Sequence, residues 1–399
     1  MPDSPFCCCF NGQKSDDEPA DRDPVLLVSG IAGSILHSKK KNFFGFESRV
    51  WVRLLLADFE FRKEIWSLYN PETGYVESLD DSIEIVVPED DYGLYAIDIL
   101  DPALWVKILH LTEVYHFHDM IDMLVECGYK KGTTLFGHGY DFRQSNRIDK
   151  AMDGLKAKLE TAYEASGGRK VNLISHSMGG LLVTCFMYLH NDVVECPSIY
   201  EMLPNPWFKW KKQPEILVWR SKSEEGGETS VVLESYGPTD SMTLFEEALK
   251  HNELDYGGKK FALPFNFSIL KWANGTRQIL NSAQLPKGIA FYNIYGISND
   301  TPLDVCYGTQ DSPIEEMSEI CHTLPQYSYV DGDGTVPAES AKADNFEAVE
   351  RVGVASSHRA LLRDEKVFEL VKKWLGVTEQ VKSHPKKTSK VMDVYQSEC

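Results

Sequence analysis

Val171-Asn172-Leu173-Ile174-Ser175-His176-Ser177-Met178-Gly179-Gly180 decides how this chain is read. A short run of β-branched residues and leucine breaks into a small-residue turn, then into the apolar stretch that opens Leu181-Leu182-Val183. A serine at the apex of a tight strand-to-helix turn has its hydroxyl held clear of the backbone, and small neighbours are needed because the turn is crowded. Ser175 stands where the Gly-x-Ser-x-Gly pattern has its first glycine, and serine is small enough to fit. The plain alternative is an ordinary strand-to-helix turn, so the reading depends on the rest of the chain.

Upstream, strand and helix patterns alternate. Val25-Leu26-Leu27-Val28 is an apolar strand that runs into the small-residue loop Ser29-Gly30-Ile31-Ala32-Gly33-Ser34. Residues 82–87 read as a further strand, 114–127 carry helical spacing at Met120, Met123, Leu124 and Cys127, and 133–136 read as a strand before Gly137 and Gly139. Ile148, Met152, Leu155, Leu159 and Tyr163 mark one face of a helix that Gly167 and Gly168 terminate. Such alternation predicts an α/β fold with a mainly parallel sheet, whose sites lie at the carboxyl ends of its strands. After a helix over 178–190 the alternation stops. Helices are expected over 242–251 and 266–280, and strands over 289–295, 327–330 and 352–354. A closing helix is expected over 364–375, stopped by Gly376. Residues 221–231 are polar and include a glycine pair.

The formal net charge of −19 argues against nucleic acid as a partner, and the 43% hydrophobic share is ample for a large core. Residues 1–23, with Cys7-Cys8-Cys9 and a run of aspartates, read as a disordered tail with no secretory signal; 377–399 read as a flexible tail. No apolar run has the length and composition of a membrane span. Nine cysteines form no Cys-x-x-Cys pair, which speaks for reduced thiols and against a zinc site. Pro2 rules out myristoylation, and Cys7, Cys8 and Cys9 are read as unmodified thiols. The expected location is cytoplasmic, with peripheral action at membranes.

A serine nucleophile needs a base and a carboxylate that orients the base. Asp333 sits in the turn Asp331-Gly332-Asp333-Gly334 after an apolar strand, with Asp331 as the competing acid. His358 lies in the small-residue loop Ala355-Ser356-Ser357 before the last helix. The order Ser177, Asp333, His358 is that of α/β-hydrolases. His176 is read as a support of the elbow. The backbone N–H groups of Met178 and of Ile31, in the Gly30 to Gly33 loop, are the expected oxyanion donors.

With these segments, and with Tyr140-Asp141-Phe142-Arg143, Pro197-Ser198 and Leu203-Pro204, the chain resembles the lecithin-cholesterol acyltransferase family, in its plant phospholipase A branch, over nearly all of 24–376. The resemblance implies an α/β-hydrolase with cap insertions at about 38–80 and 197–285. Its implied activity is phospholipase A or phospholipid O-acyltransferase, through an acyl-serine and without metal or cofactor. The implied partners are a phospholipid substrate, an alcohol or sterol acyl acceptor, and a peripheral membrane surface. Trp51 and the 207–212 stretch are candidates for membrane contact or acyl-chain cover. Members of this branch carry a further core strand and a long lid-like loop before the Pro-Ser segment, where only 191–196 stand here. The sheet is therefore expected to lack a strand beside the nucleophile. Two other readings follow: a catalytically impaired variant that keeps lipid or protein binding, and a hydrolase of neutral glycerides or small esters.

Overall fold

The computed structural model describes residues 22–41, 47–52, 64–103, 106, 109, 111–146, 148–188, 198–203, 205–223, 229–256 and 258–377. The terminal stretches expected to be disordered fall almost wholly outside these, as does the 191–196 connection. From the amino end come strands β1 (Val25–Val28), β2 (Leu36–Lys40), β3 (Glu47–Trp51), β4 (Ser67–Tyr69), β5 (Val76–Ser78) and β6 (Ile83–Val86), then helix α1 (His118–Glu126). Strand β7 (Leu135–His138), helix α2 (Asp149–Ala165), strand β8 (Asn172–Ser175) and helix α3 (Gly179–Tyr188) follow. Next are α4 (Ser198–Glu201), β9 (Ile216–Ser223), β10 (Thr229–Tyr236), α5 (Ser241–Ala248), β11 (Glu253–Tyr256), β12 (Lys259–Ala262) and α6 (Phe267–Ser282). The last elements are β13 (Tyr292–Gly296), β14 (Asn299–Tyr307), β15 (Gln326–Gly332), α7 (Ala338–Ala341), β16 (Glu350–Val354) and α8 (Glu365–Leu375).

Strand β1 lies between β7 and β8, parallel to both, with Val25 opposite Leu135 and Asn172. All four of its residues are shut off from solvent, which is why the segment is a continuous apolar run. Its side chains alternate between two cores. Val25 and Leu27 pack with Met120, Ile121 and Leu124 of α1 and Val367 and Val371 of α8. Leu26 and Val28 pack with Leu155 of α2 and Leu182 of α3 on the opposite face. The sequence supplies the ends of α8 as well: Asp364 accepts from the Lys366 and Val367 N–H groups, and Gly376 closes the helix in the left-handed region at φ 66°.

The expected sheet is in two pieces. Strands β7, β1 and β8 form one, and among the described residues β13 pairs only with β16, in parallel, to form the other. Among the described residues no strand pairs with the outer edge of β8, and Asn172, Leu173 and Ile174 there are only half-buried. The two pieces share the core face that holds α1 and α8, where Ile174, Ile294 and Val352 belong to one cluster. Tyr292 stacks on Trp374 of α8 with ring centroids 4.6 Å apart, which ties the second piece to that helix.

The sheet content is less parallel than the sequence predicts. Strands β10, β9, β14 and β15 form a sheet whose only parallel pair is β9 with β14. The strand expected over 327–330 belongs here and not to the β1 sheet. Strand β14 escapes a sequence reading because it carries Pro302, Asp300 and Asp304, and its register slips between Pro302 and Val305, where a bulge absorbs the proline. The β9–β10 hairpin encloses the polar stretch after 220, and alternating Arg220, Lys222 and Glu234 mask its strands.

The chain returns to the core through Glu201. Its buried carboxylate accepts from Ser145 Oγ (2.6 Å), Asn146 Nδ2 (2.8 Å) and Thr276 Oγ1 (2.9 Å), joining α4, α6 and the loop after β7. Among the described residues no helix is long and apolar enough to cross a membrane.

Candidate active site

Ser177 stands between the end of β8 and the start of α3 with φ 55°, a left-handed conformation that a non-glycine residue adopts at a cost of about 1–3 kcal/mol. The strain turns its hydroxyl outward, and the residue is exposed. Ser175, at the position usually held by glycine, is itself exposed, so its side chain meets no wall.

The other two residues come from two different sheets: His358 follows β16, of the second piece, and Asp333 follows β15, of the four-stranded sheet. Asp333 follows β15 and is only 4% exposed. Its Oδ1 accepts from the Thr335 and Val336 N–H groups at 2.9 and 2.7 Å, which leaves Oδ2 to accept from His358 Nδ1–H at 2.8 Å. Ser177 Oγ donates to His358 Nε2 at 2.9 Å. The His358 N–H also bonds the Asp333 carbonyl at 2.9 Å, fixing the loop that follows β16. Asp331, the competing acid, is engaged elsewhere: its Oδ1 accepts from Ser298 N–H at 2.6 Å. Gly296 ends β13 where a Cβ would lie 2.3 Å from the Cβ of Asp333, so only glycine leaves room for this carboxylate. Burial opposes ionisation of Asp333, but the bonds from His358, Val336 and Thr335 outweigh it and hold the carboxyl below its ordinary range.

The loop after β1 completes the site. A Cβ on Gly30 would meet the His176 carbonyl at 2.7 Å and the Ser177 Cβ at 2.8 Å, so the loop backbone rests directly on the elbow. Neither Ile31 N–H nor Met178 N–H has an acceptor among the described residues. Ser29 and Ser34 hydroxyls bond each other at 2.7 Å, and Ser34 Oγ accepts from Tyr140 N–H at 3.1 Å. Trp51, a candidate for lipid contact in the sequence, donates its indole N–H to the Ala32 carbonyl at 3.0 Å and packs edge-on against Phe142. It therefore holds the loop from above.

Two features escaped or exceeded the sequence reading. His116, in the run Tyr115-His116-Phe117, looks like one polar residue among aromatics; it is buried behind the loop, with Nε2 where a Cβ of Gly33 would stand. His176 does more than adjoin the serine: its Nε2–H donates to the His358 carbonyl at 2.9 Å. Burial, and then the neighbouring His358, pull the His176 imidazole down to about 4, and burial holds His116 well below its ordinary value. Both rings are neutral at physiological pH.

A serine, a histidine and a carboxylate in unbroken contact, beside two backbone N–H groups with no partner, form an arrangement suited to acyl transfer. Residues 46–214, which include Ser177, match the family model described as lecithin:cholesterol acyltransferase. The chain is 60% identical to phospholipase A(1) LCAT3 of Arabidopsis thaliana, over 97% of this chain and 98% of that protein. It is 46% identical to lecithin-cholesterol acyltransferase-like 4 of the same plant, over 89% and 76% of the two chains. It is 25% identical to human lysosomal phospholipase A and acyltransferase, over 81% and 82%. The first alignment extends over 441 positions against the 399 residues present here, so more than forty positions of that relative have no counterpart in this chain. With identity so high along nearly the whole length of both proteins, the chain belongs to the lecithin:cholesterol acyltransferase family.

Proposed function

We propose that this chain is a phospholipase of the A1 type with lecithin:cholesterol acyltransferase-like chemistry, cleaving or transferring acyl esters of glycerophospholipids through an acyl-serine. The observation that carries the reading is the continuous hydrogen-bonded line from Ser177 Oγ through His358 to Asp333. The 60% identical Arabidopsis phospholipase A(1) supports a phospholipid ester as the substrate.

In this mechanism Ser177 Oγ attacks the ester carbonyl carbon while its proton passes to His358 Nε2. Asp333 keeps the imidazole oriented and stabilises its cation. Negative charge on the carbonyl oxygen is met by the Ile31 and Met178 N–H groups. Collapse breaks the ester bond, and the departing glyceryl oxygen takes the proton from His358. Water, or an alcohol or sterol acceptor, then gives its proton to His358 and attacks the acyl-Ser177 carbon. Collapse of this second intermediate breaks the acyl–Oγ bond, Ser177 Oγ takes the proton back from His358 Nε2, and the product is a free fatty acid or a new ester.

The test compares the purified chain with Ser177→Ala on phosphatidylcholine vesicles, with and without a sterol, measuring fatty acid, lysolipid and acylated acceptor. Release is expected to fall by at least about 10³-fold in the variant. Equal release from both proteins would favour the second reading, a non-catalytic lipid-binding variant, for which the break between β8 and β13 is the supporting observation.

Trp207 is 54% exposed, and exposed Met202, Lys209 and Lys211 lie close to it in the sequence, a composition suited to a membrane surface. Trp210 is turned inward against Phe208, with centroids 4.7 Å apart. Trp207→Ala is therefore expected to weaken vesicle binding about tenfold, and Trp210→Ala much less. Sedimentation with phosphatidylcholine vesicles measures both, and unchanged binding of Trp207→Ala would remove this surface from the mechanism.

A further inference from the structure

Ser177 and His358 belong to sheet pieces that share no backbone ladder among the described residues. His358 is nevertheless held on both sides. Its N–H and Nδ1–H bond Asp333, on the side of β13 and β16, while on the side of β8 it meets Ser177 Oγ and His176. Of the two contacts on the β8 side, the His176 bond is the one that takes no part in proton transfer.

The chemistry of that bond fixes the state of the ring. A backbone carbonyl only accepts, so His176 Nε2 carries the hydrogen and Nδ1 carries none. Nδ1 is closed off from solvent and has no partner among the described residues. Burying a bare acceptor is unfavourable, and an apolar side chain would avoid it, so a histidine here is explained by what its other nitrogen does. The ring lies 4.8 Å from that of His358 and is backed edge-on by His116 at 5.5 Å. His116 in turn fills the space under Gly33 of the oxyanion loop. The three rings thus form a wedge from that loop to the base.

We propose that His176 is a positioning residue that seats the His358 loop on the nucleophile elbow, substituting for the strand ladder that a continuous sheet would supply. The inference rests on Ser177 and His358 acting as nucleophile and base. Its specific content is that the donor hydrogen at position 176 sets the alignment of Nε2 with Oγ. A displacement on the order of 1 Å at this distance is enough to lower the chemical rate about 100-fold while ground-state binding is kept.

Glutamine and methionine separate donor from bulk, because they have similar size and reach and only glutamine carries an N–H. The full chain, His176→Met, His176→Gln and Ser177→Ala are compared on a short-chain phosphatidylcholine below its micelle concentration. The rate of Ser177 labelling by a fluorophosphonate is measured alongside. His176→Met is expected to lower kcat and the labelling rate about 10- to 100-fold with KM within about twofold, and His176→Gln to recover most of the loss. Hydrogen exchange of the 355–361 loop is expected to rise in His176→Met while β1 stays protected. Should His176→Met not fold, His176→Phe gives a second donor-free form. Wild-type kcat in the donor-free variant, or equal losses in Met and Gln, would overturn the inference while leaving the acyl-serine reading intact. Full activity in Ser177→Ala, or a wild-type chain that neither turns over nor labels, would overturn both.

Discussion

Asp333→Asn is expected to lower kcat by about 10³- to 10⁴-fold without unfolding the protein. The geometry gives the reason. Oδ1 of residue 333 is fixed by the N–H groups of Thr335 and Val336, and an asparagine oxygen would accept both bonds equally well. Its NH₂ group must then face His358 Nδ1, where it donates. That favours the tautomer with hydrogen on Nε2, the nitrogen that has to accept the Ser177 proton. The base is thereby blocked while the turn keeps its shape. Asp331→Asn is the matching control, since that side chain accepts from Ser298 N–H and an asparagine oxygen does the same. Its activity should stay within about twofold of wild type. Fatty acid release from phosphatidylcholine measures both, and comparable losses at the two positions would reassign the acid.

How much of this was legible depends on what each segment had to encode. Strand β1, helix α2 and helix α8 are written in local pattern: a fully apolar run, a 3.6-residue period and a capped end. Ser177, Asp333 and His358 were legible as a set because their order carries information that no single position has. The choice between Asp331 and Asp333 was not, because two residues of spacing say nothing about which carboxylate a turn aims at the histidine. The short 191–196 connection raises the expectation of a missing strand beside β8; it lies outside the described residues, among which no strand pairs with the outer edge of β8. Strand β14 was illegible for a different reason: it carries Pro302 and two aspartates, and its register shifts between Pro302 and Val305 at a bulge that only tertiary structure reveals. The roles of Trp51 and His116 depend on where a loop crosses them, and neither has a local signature.

Stability should fall steeply between about pH 6.5 and pH 4, because buried histidines must stay neutral for the chain to fold. His138, 4% exposed and without a partner at either ring nitrogen among the described residues, is pulled down to about 4 by burial and then by Lys158; His176 is likewise at about 4. In the unfolded chain each returns to about 6.5. Between those limits the unfolded state binds more protons, so stability is greatest above 6.5 and is lost as pH falls, by about 2 kcal/mol from each group at pH 5. Buried His116 adds to the loss in the same direction. Asp333 and Asp304 hold their carboxyls below the ordinary range, so what they contribute is lost only at still lower pH. Glu201, raised by burial, works in the opposite sense and offsets part of the fall. Against a typical total of about 5–15 kcal/mol, two such histidines are decisive. Chemical denaturation at pH 7.5 and pH 5 measures the drop, and His138→Phe isolates one share of it. The variant keeps a ring against Tyr140, gives up no hydrogen bond and cannot take a proton, so its stability should fall less than that of wild type over the same interval. Parallel losses in the two proteins would show that His138 is not among the groups responsible.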